Sequence, residues 1–215
     1  ETLKTFINTS LAETWEDKGE AVEGDSLLSH CEEYGPEELP DGIIVLTAGV
    51  DVQDDRLECE VVGWGKDGES WSVEYVVLDG DPSGLELWAT LDDFLKSSYP
   101  LASGAVVKIS AVAIDSGGHH TQTVYDFVRP VAKRRRRVWA IKGQSQSGKP
   151  IWPAKPSRNN SGRGPLYMIG TDSAKERIYS RLAIEEFGPG YCHFPDGEMY
   201  DEKYFGGLTA EKVIT

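Results

Sequence analysis

Apolar and polar positions alternate with a strand period through the first third of the chain. Residues 43–53 form a short apolar run, with Ile43, Ile44, Val45, Leu46 and Val50 expected inside. Asp51 interrupts it, and a carboxylate among buried neighbours costs several kcal/mol unless a lysine, backbone N–H groups or a cation compensates. Asp54 and Asp55 make a turn. In residues 56–65 Leu57, Cys59 and Val61 alternate against Glu58 and Glu60, which read as a solvated strand face or as carboxylates able to approach a metal site from this strand. Lys66-Asp67-Gly68 is a hairpin signal. Residues 70–78 make a third strand, with Trp71, Val73, Tyr75 and Val77 on one face. After the breaker Gly80-Asp81-Pro82-Ser83-Gly84, the spacing of Leu87, Trp88, Leu91, Phe94 and Leu95 predicts a helix over 85–97.

A second apolar strand, residues 111–115, ends on Asp115 and is followed by Ser116-Gly117-Gly118. A helix is expected over 119–128, kinked before Pro130 and running on to Arg137, with His119 and His120 either opening it or, near Asp115, positioning a water or contacting a scissile phosphate. Residues 138–143 read as a strand. Residues 144–164, rich in Ser, Gly, Pro and Asn, read as an exposed excursion. A strand at 166–170 leads to a helix capped by Asp172, with Ile178, Leu182, Ala183 and Phe187 apolar. A short strand at 191–194 and a helix at 199–208 follow. Residues 1–41 read as an acidic, turn-rich arm, with the domain proper at 42–215. Trp64, Trp71, Trp88 and Trp139 are expected in the core.

Three antiparallel strands, then helix, strand, helix, strand and helix, is the order of a ribonuclease-H-like α/β fold, a mixed sheet flanked by helices. In that plan the first and fourth strands are parallel neighbours, so Asp51 and Asp115 converge. Two carboxylates there repel unless a cation lies between them. Their oxygens suit Mg²⁺ or Mn²⁺, and two such ions can cleave a phosphodiester. Read without the fold, either aspartate is equally a turn cap.

Charge sharpens the picture. The 215 residues carry a net −14. Residues 129–181 hold 14 Lys and Arg against two acids, Asp172 and Glu176, hence about +12, and the remainder is about −26. A basic stretch on an acidic body is a polyanion footprint or a solvated charge run. Arg134, Arg135, Arg136, Arg137, Lys142 and Lys149 are the candidate DNA contacts. Cys31, Cys59 and Cys192 form no Cys-x-x-Cys pair and suggest a reducing cytosol. No apolar run approaches the roughly 18 residues of a membrane helix, so no membrane partner is expected.

The residues also resemble a known family. Leu46-Thr47-Ala48-Gly49-Val50-Asp51-Val52-Gln53 is similar to the start of the nuclease domain in large terminase subunits of lambda-like tailed phages. Ala113-Ile114-Asp115-Ser116-Gly117-Gly118, Trp139-Ala140-Ile141-Lys142-Gly143, Gly170-Thr171-Asp172-Ser173, His193-Phe194-Pro195 and Tyr204-Phe205-Gly206-Gly207 agree in order. Leu3-Lys4-Thr5-Phe6-Ile7-Asn8-Thr9 resembles the segment joining the packaging ATPase to the nuclease. The resemblance implies an Mg²⁺- or Mn²⁺-dependent endonuclease that nicks concatemeric viral DNA at cohesive-end sites, with two ions in the complete enzyme. Asp51 and Asp115 would be the catalytic metal ligands. The implied partners are double-stranded DNA, the N-terminal packaging ATPase, the small terminase subunit and the procapsid portal, in the host cytoplasm. The family continues to an Asn-Glu-x-x-Asp element that supplies a further acid, so the third ligand is expected beyond Thr215. Within the sequence, Asp201 is the candidate substitute and Asp172 a weaker one.

Two other functions compete. One is a non-catalytic ribonuclease-H-like module for DNA binding or docking. The other is nucleotide binding through residues 143–149, which match a P-loop from Gly143 to Lys149 but place Pro150 where a Ser or Thr is required.

Overall fold

The computed structural model describes residues 24–129, 137–158 and 165–210. After a helical turn at Gly24–Leu27 come β1 (Cys31–Glu32), β2 (Val45–Val52), β3 (Arg56–Trp64), β4 (Ser70–Asp79), α1 (Leu85–Phe94), β5 (Ser98–Pro100) and β6 (Val106–Asp115). Then follow α2 (Thr121–Val128), β7 (Arg137–Gln144), β8 (Ser157–Arg158), β9 (Pro165–Gly170), α3 (Thr171–Leu182), β10 (Cys192–Pro195) and α4 (Glu202–Thr209). The sheet order is β1-β10-β4-β3-β2-β6-β7-β9-β8, with β5 paired to β6. β2, β3 and β4 form an antiparallel meander, while β2, β6, β7 and β9 run parallel. This is the ribonuclease-H-like arrangement expected from the element order.

Alternation gives the sheet two unlike faces. Leu46, Ala48 and Val50 of β2, with Ile114 and Ala140 from the neighbouring strands, are buried against α1 and α2. Trp88 of α1 and Phe127 of α2 meet there, their rings 5.0 Å apart. Each large apolar side chain so buried contributes roughly 1.5–3 kcal/mol. On the opposite face Leu182 of α3, Phe194 of β10 and Phe205 of α4 join Leu27 and Tyr200 in a second cluster. The stretch before residue 42, expected as an arm, contributes fully buried Leu27 and Leu39 and the strand β1.

Several expectations need correcting. Val45 is exposed because β2 buries only one face, and Ile44 is exposed just before the strand begins. The alternation in β4 does not hold over its whole length. Val62 pairs with Ser72 and Val61 with Glu74, so Val73 is an extra residue in a bulge. Val76 and Leu78 therefore pack on the core, while Val77 is exposed. The helix after Asp115 does not reach Arg137. It ends at Val128, and Arg129 is extended (ψ 134°) because the following Pro130 disfavours helical geometry. Asp172 does not cap α3. Gly170 holds the cap position, and Asp172 sits in the first turn, where its charge suits the helix dipole. Ile178 and Phe187 are exposed. Trp71 and Trp88 are buried as expected, but Trp64 and Trp139 are only half-buried, on the face away from the main core.

The edge beside β10 is fastened by one imidazole. His193 is 5% exposed, and its two nitrogens face carboxylates of Glu32 and Glu69. The ring also stacks on Trp71, with centroids 4.7 Å apart. His193→Ala leaves the Glu32 and Glu69 carboxylates without the ring that both contact. It should lower unfolding stability by about 2–4 kcal/mol, measurable by urea titration, with Trp71→Ala comparably damaging. A loss below about 0.5 kcal/mol would show that the clamp contributes nothing.

Candidate active site

Val50 of β2 pairs with Ile114 of β6 in parallel register. Asp51 and Asp115 each lie one residue further on, so they stand side by side on strands about 4.8 Å apart. Val50 and Ile114 face the main core, which turns both aspartates to the other face. Asp51 is exposed and Asp115 half-buried. The desolvation penalty expected for Asp51 is therefore not incurred.

Local bonds fix both side chains. The Gly117 N–H donates to Asp115 Oδ1 at 3.0 Å. A Cβ at Gly117 would lie 3.3 Å from both oxygens of Asp115, so glycine keeps that flank open. Ser116 is buried, and its N–H and hydroxyl both donate to the Ile141 carbonyl at 2.8 Å. The Thr121 hydroxyl reaches the Ser116 and Gly118 carbonyls, each at 2.9 Å. The end of β6 is thus bound to β7 and to α2. Asp51 Oδ2 accepts from the Gln53 amide. His119 Nδ1 lies 3.3 Å from Asp54 Oδ1 and joins the two loops at the rim, while His120 occupies the N-cap position of α2. Among the described residues no Lys or Arg is paired with Asp51 or Asp115.

A third carboxylate shares the row. Asp51 pairs directly with Glu58 across the β2–β3 hairpin. Sequence reading offered Glu58 both as a residue approaching the metals from the second strand and as a solvated strand position. The turn at Asp54-Asp55 was the available signal, since it sets the register that opposes the two residues. Glu58 is already engaged: Arg56 Nε donates to it at 2.8 Å and the Tyr75 hydroxyl at 2.7 Å. These bonds, Tyr75 foremost, hold its carboxyl below the usual range. Glu60, two residues on, accepts from Tyr204 of α4 and from Ser72. Burial pushes its carboxyl up.

The remaining candidates are dispersed. Asp201, the expected substitute for a third ligand, instead caps α4 and accepts from the Tyr204 N–H at 2.9 Å. Thr215, beyond which the further acid is expected, itself lies outside the described residues. Among the described residues no group of three acids, histidines or cysteines is placed to hold a metal. Arg134, Arg135 and Arg136 lie outside the described residues. Arg137 starts β7 opposite Ala111, on the acid face, and is exposed. Lys142 follows Ile141, the partner of Asp115, and so projects to the other face. Lys149 sits in the turn after β7, where its carbonyl accepts from Ser173 at 2.7 Å. Gly143 and Gln144 finish β7, and no helix starts at Pro150. Residues 143–149 thus lack the helix N-terminus that a phosphate site uses.

Sequence reading also missed an aromatic group. Trp139, Trp152 and Tyr167 meet on the acid face, and Trp152 is 43% exposed. The odd-numbered spacing of Trp139 and Ile141 on one strand was the signal for it.

A family described as terminase large subunit gpA, endonuclease domain, matches residues 1–215. The terminase large subunit of Escherichia phage lambda is 36% identical over 98% of this chain and 33% of its own length. That of Enterobacteria phage P21 is 33% identical over 99% of this chain and 34% of its own. The chain spans about a third of the length of these relatives. Among solved structures, the nuclease domain of the large terminase subunit gp2 of bacterial virus Sf6 overlies 88% of this chain and 76% of its own at 12% identity, with a TM-score of 0.43. A K428A mutant of that domain with manganese gives the same values.

The state of Glu58 makes a stability prediction. Its folded pKa lies below the ordinary 4.5, so the stability it contributes is present above that value and is lost as the pH falls through the folded one. Tyr75→Phe removes the main cause. Urea unfolding should find the variant weaker at about pH 7, with the difference from wild type shrinking towards about pH 3. A difference independent of pH would mean that Tyr75 acts through packing alone.

Proposed function

The chain belongs to the family of terminase large subunit gpA endonuclease domains, and from that premise we propose that Asp51 and Asp115 are the catalytic centre of a metal-dependent endodeoxyribonuclease. The observation that carries this reading is the parallel register of Val50 with Ile114, which sets two carboxylates together on an accessible face. The donor set fits a hard cation: carboxylate oxygens, solvent access for remaining water ligands, and no competing Lys or Arg among the described residues. A bound Mg²⁺ or Mn²⁺ supplies Lewis-acid polarisation of a phosphoryl oxygen.

The chain's own groups perform the rest. Gly117 and Gln53 each occupy one oxygen of their aspartate, leaving the other available. Arg56 and Tyr75 compensate Glu58, so the row does not carry three free negative charges. His119 stands at the rim, where its ring can orient a water or a phosphate oxygen. A two-ion site needs a further anionic ligand beyond the described pair. Asp201 is held to its helix-capping role.

The substrate is double-stranded DNA, cut as concatemers at cohesive-end sites in the host cytoplasm. A packaging ATPase of the same polypeptide, the small terminase subunit and the portal are the proposed partners. The isolated carboxylate pair favours one rival, a DNA-docking module without cleavage, and nicking decides between them.

Asp51→Asn and Asp115→Asn keep shape and, at Asp115, the Gly117 bond. Each should abolish Mg²⁺- or Mn²⁺-dependent nicking of supercoiled plasmid by the full-length protein and weaken Mn²⁺ binding in this chain, read by calorimetry. A variant that nicks at the wild-type rate removes its residue from the centre. Arg137 and Lys142 give a separate test of the face. Arg137→Ala should lower the log–log salt slope of DNA binding by about 0.9, and Lys142→Ala should leave it unchanged. The reverse result would put DNA on the α1–α2 side.

A further inference from the structure

We propose that Trp139, Trp152 and Tyr167 form a stacking platform for an unpaired nucleobase of the DNA strand that presents its phosphate to Asp51 and Asp115. The proposal rests on the nuclease reading above and adds a binding site to it. Tyr167 pairs with Ile141, and Ile141 with Asp115, in one row of the sheet. Two strand spacings separate the ring from the carboxylate, about 10 Å. That distance is about two or three nucleotides along a strand, at roughly 3.4 Å each. Trp139 precedes Ile141 by two residues and lies on the same face.

Of the three rings Trp152 is exposed, while Trp139 and Tyr167 are half-buried. Trp152 stacks on Tyr167, with centroids 4.8 Å apart and planes 27° apart. Trp139 closes the cluster edge-on, 5.2 Å from Trp152 and 6.3 Å from Tyr167. Trp152 remains 43% exposed and neighbouring Ile151 42%. The segment carrying Trp152 is anchored just before it. The Gly170 N–H donates to the Pro150 carbonyl at 3.2 Å, and Ser173 Oγ to the Lys149 carbonyl. A Cβ at Gly170 would come within 2.6 Å of that backbone, so glycine is required for the approach.

Charge selects the occupant. Residues 137–170 contain six Lys and Arg and no Asp or Glu, in a chain of net −14. An aromatic surface in a segment without acids, with Arg137 on the same face, suits a polyanion with π faces. Within a duplex those faces are already covered by neighbouring bases, so an open ring favours an unpaired base.

The test measures fluorescence anisotropy of a short labelled single strand and of its blunt duplex, in EDTA, on this chain. Trp152→Ala and Tyr167→Ala should weaken single-strand binding by about 5- to 100-fold, duplex binding by less than about two-fold, and leave the salt slope unchanged. Trp152→Phe should recover most of the affinity, which a fold defect would not permit; thermal midpoints check this directly. Unchanged single-strand affinity in the alanine variants, equal losses on duplex, or a Phe variant as weak as Ala would each overturn the platform. The first result would leave the cluster as a protein-docking surface. Asp51→Asn separates the two ideas. It should bind the single strand normally while failing to nick plasmid, and normal nicking by it would defeat the nuclease reading without touching the platform.

Discussion

The parallel pairing of β2 with β6 is the constraint on which the molecule depends. Parallel neighbours cannot be joined by a tight turn, so the chain must cross over, and α1 and β5 lie in that crossover. The register is set by apolar burial: Val50 and Ile114 are at most 4% exposed. A slip of one residue would move the aspartate into the core and the valine into water. The packing that makes the core therefore also makes the carboxylate pair. Repulsion between Asp51 and Asp115 is small beside the many apolar groups that hold the register.

Strand β3 shows how the protein limits negative charge beside that pair. Glu58 and Glu60 lie on the same face, two residues apart, yet their carboxyls shift in opposite directions. Glu58 is held ionised by Tyr75 and Arg56, and the arginine charge offsets its own. Glu60 is covered by α4 and bonded by Tyr204, and burial raises it towards the neutral acid. The Tyr204 hydroxyl is itself pushed up by the same burial and stays a donor. One strand thus delivers little net charge to the row, although it reads as an acidic face. The same contacts hold α4 on the sheet, so the chain's last described helix is tied to the strand opposite Asp51.

Much of this was legible in the sequence, for identifiable reasons. The β2–β3 alternation and the two apolar strands ending on Asp51 and Asp115 are local patterns, and element order converted them into a parallel pair. What escaped depended on pairing and on faces. The bulge at Val73 moved Val77 outward, and no period-2 count can show an inserted residue. Asp201 was read as chemistry but serves its own helix, which only the cap geometry reveals. Lys142 and Arg137 look equivalent in a basic run, yet strand parity sends them to opposite sides. Trp139 was assigned to the core because a tryptophan in a strand usually is. The sheet's second face, only partly covered by α3 and α4, makes it a surface residue.

Long-range electrostatics then orders the open face. Moving across it from β3 to β9, the chain passes from Glu58 and the two aspartates to a segment with cations and no acids. At physiological salt the screening length is about 8 Å, less than two strand spacings. A phosphate approaching over β3 would therefore meet carboxylates within their unscreened range, while one approaching over β9, two spacings from Asp115, would not. The acids that suit a cation repel a bare polyanion. In the proposed nuclease reading, Arg137 on the β7–β9 flank would hold the backbone at a distance where only one phosphate need reach the pair. The aromatic cluster lies on this same flank, between the acids and the sheet edge. A base gripped there would fix the strand's position without adding negative charge to the centre, and so couple where the strand is held to where it can be cut.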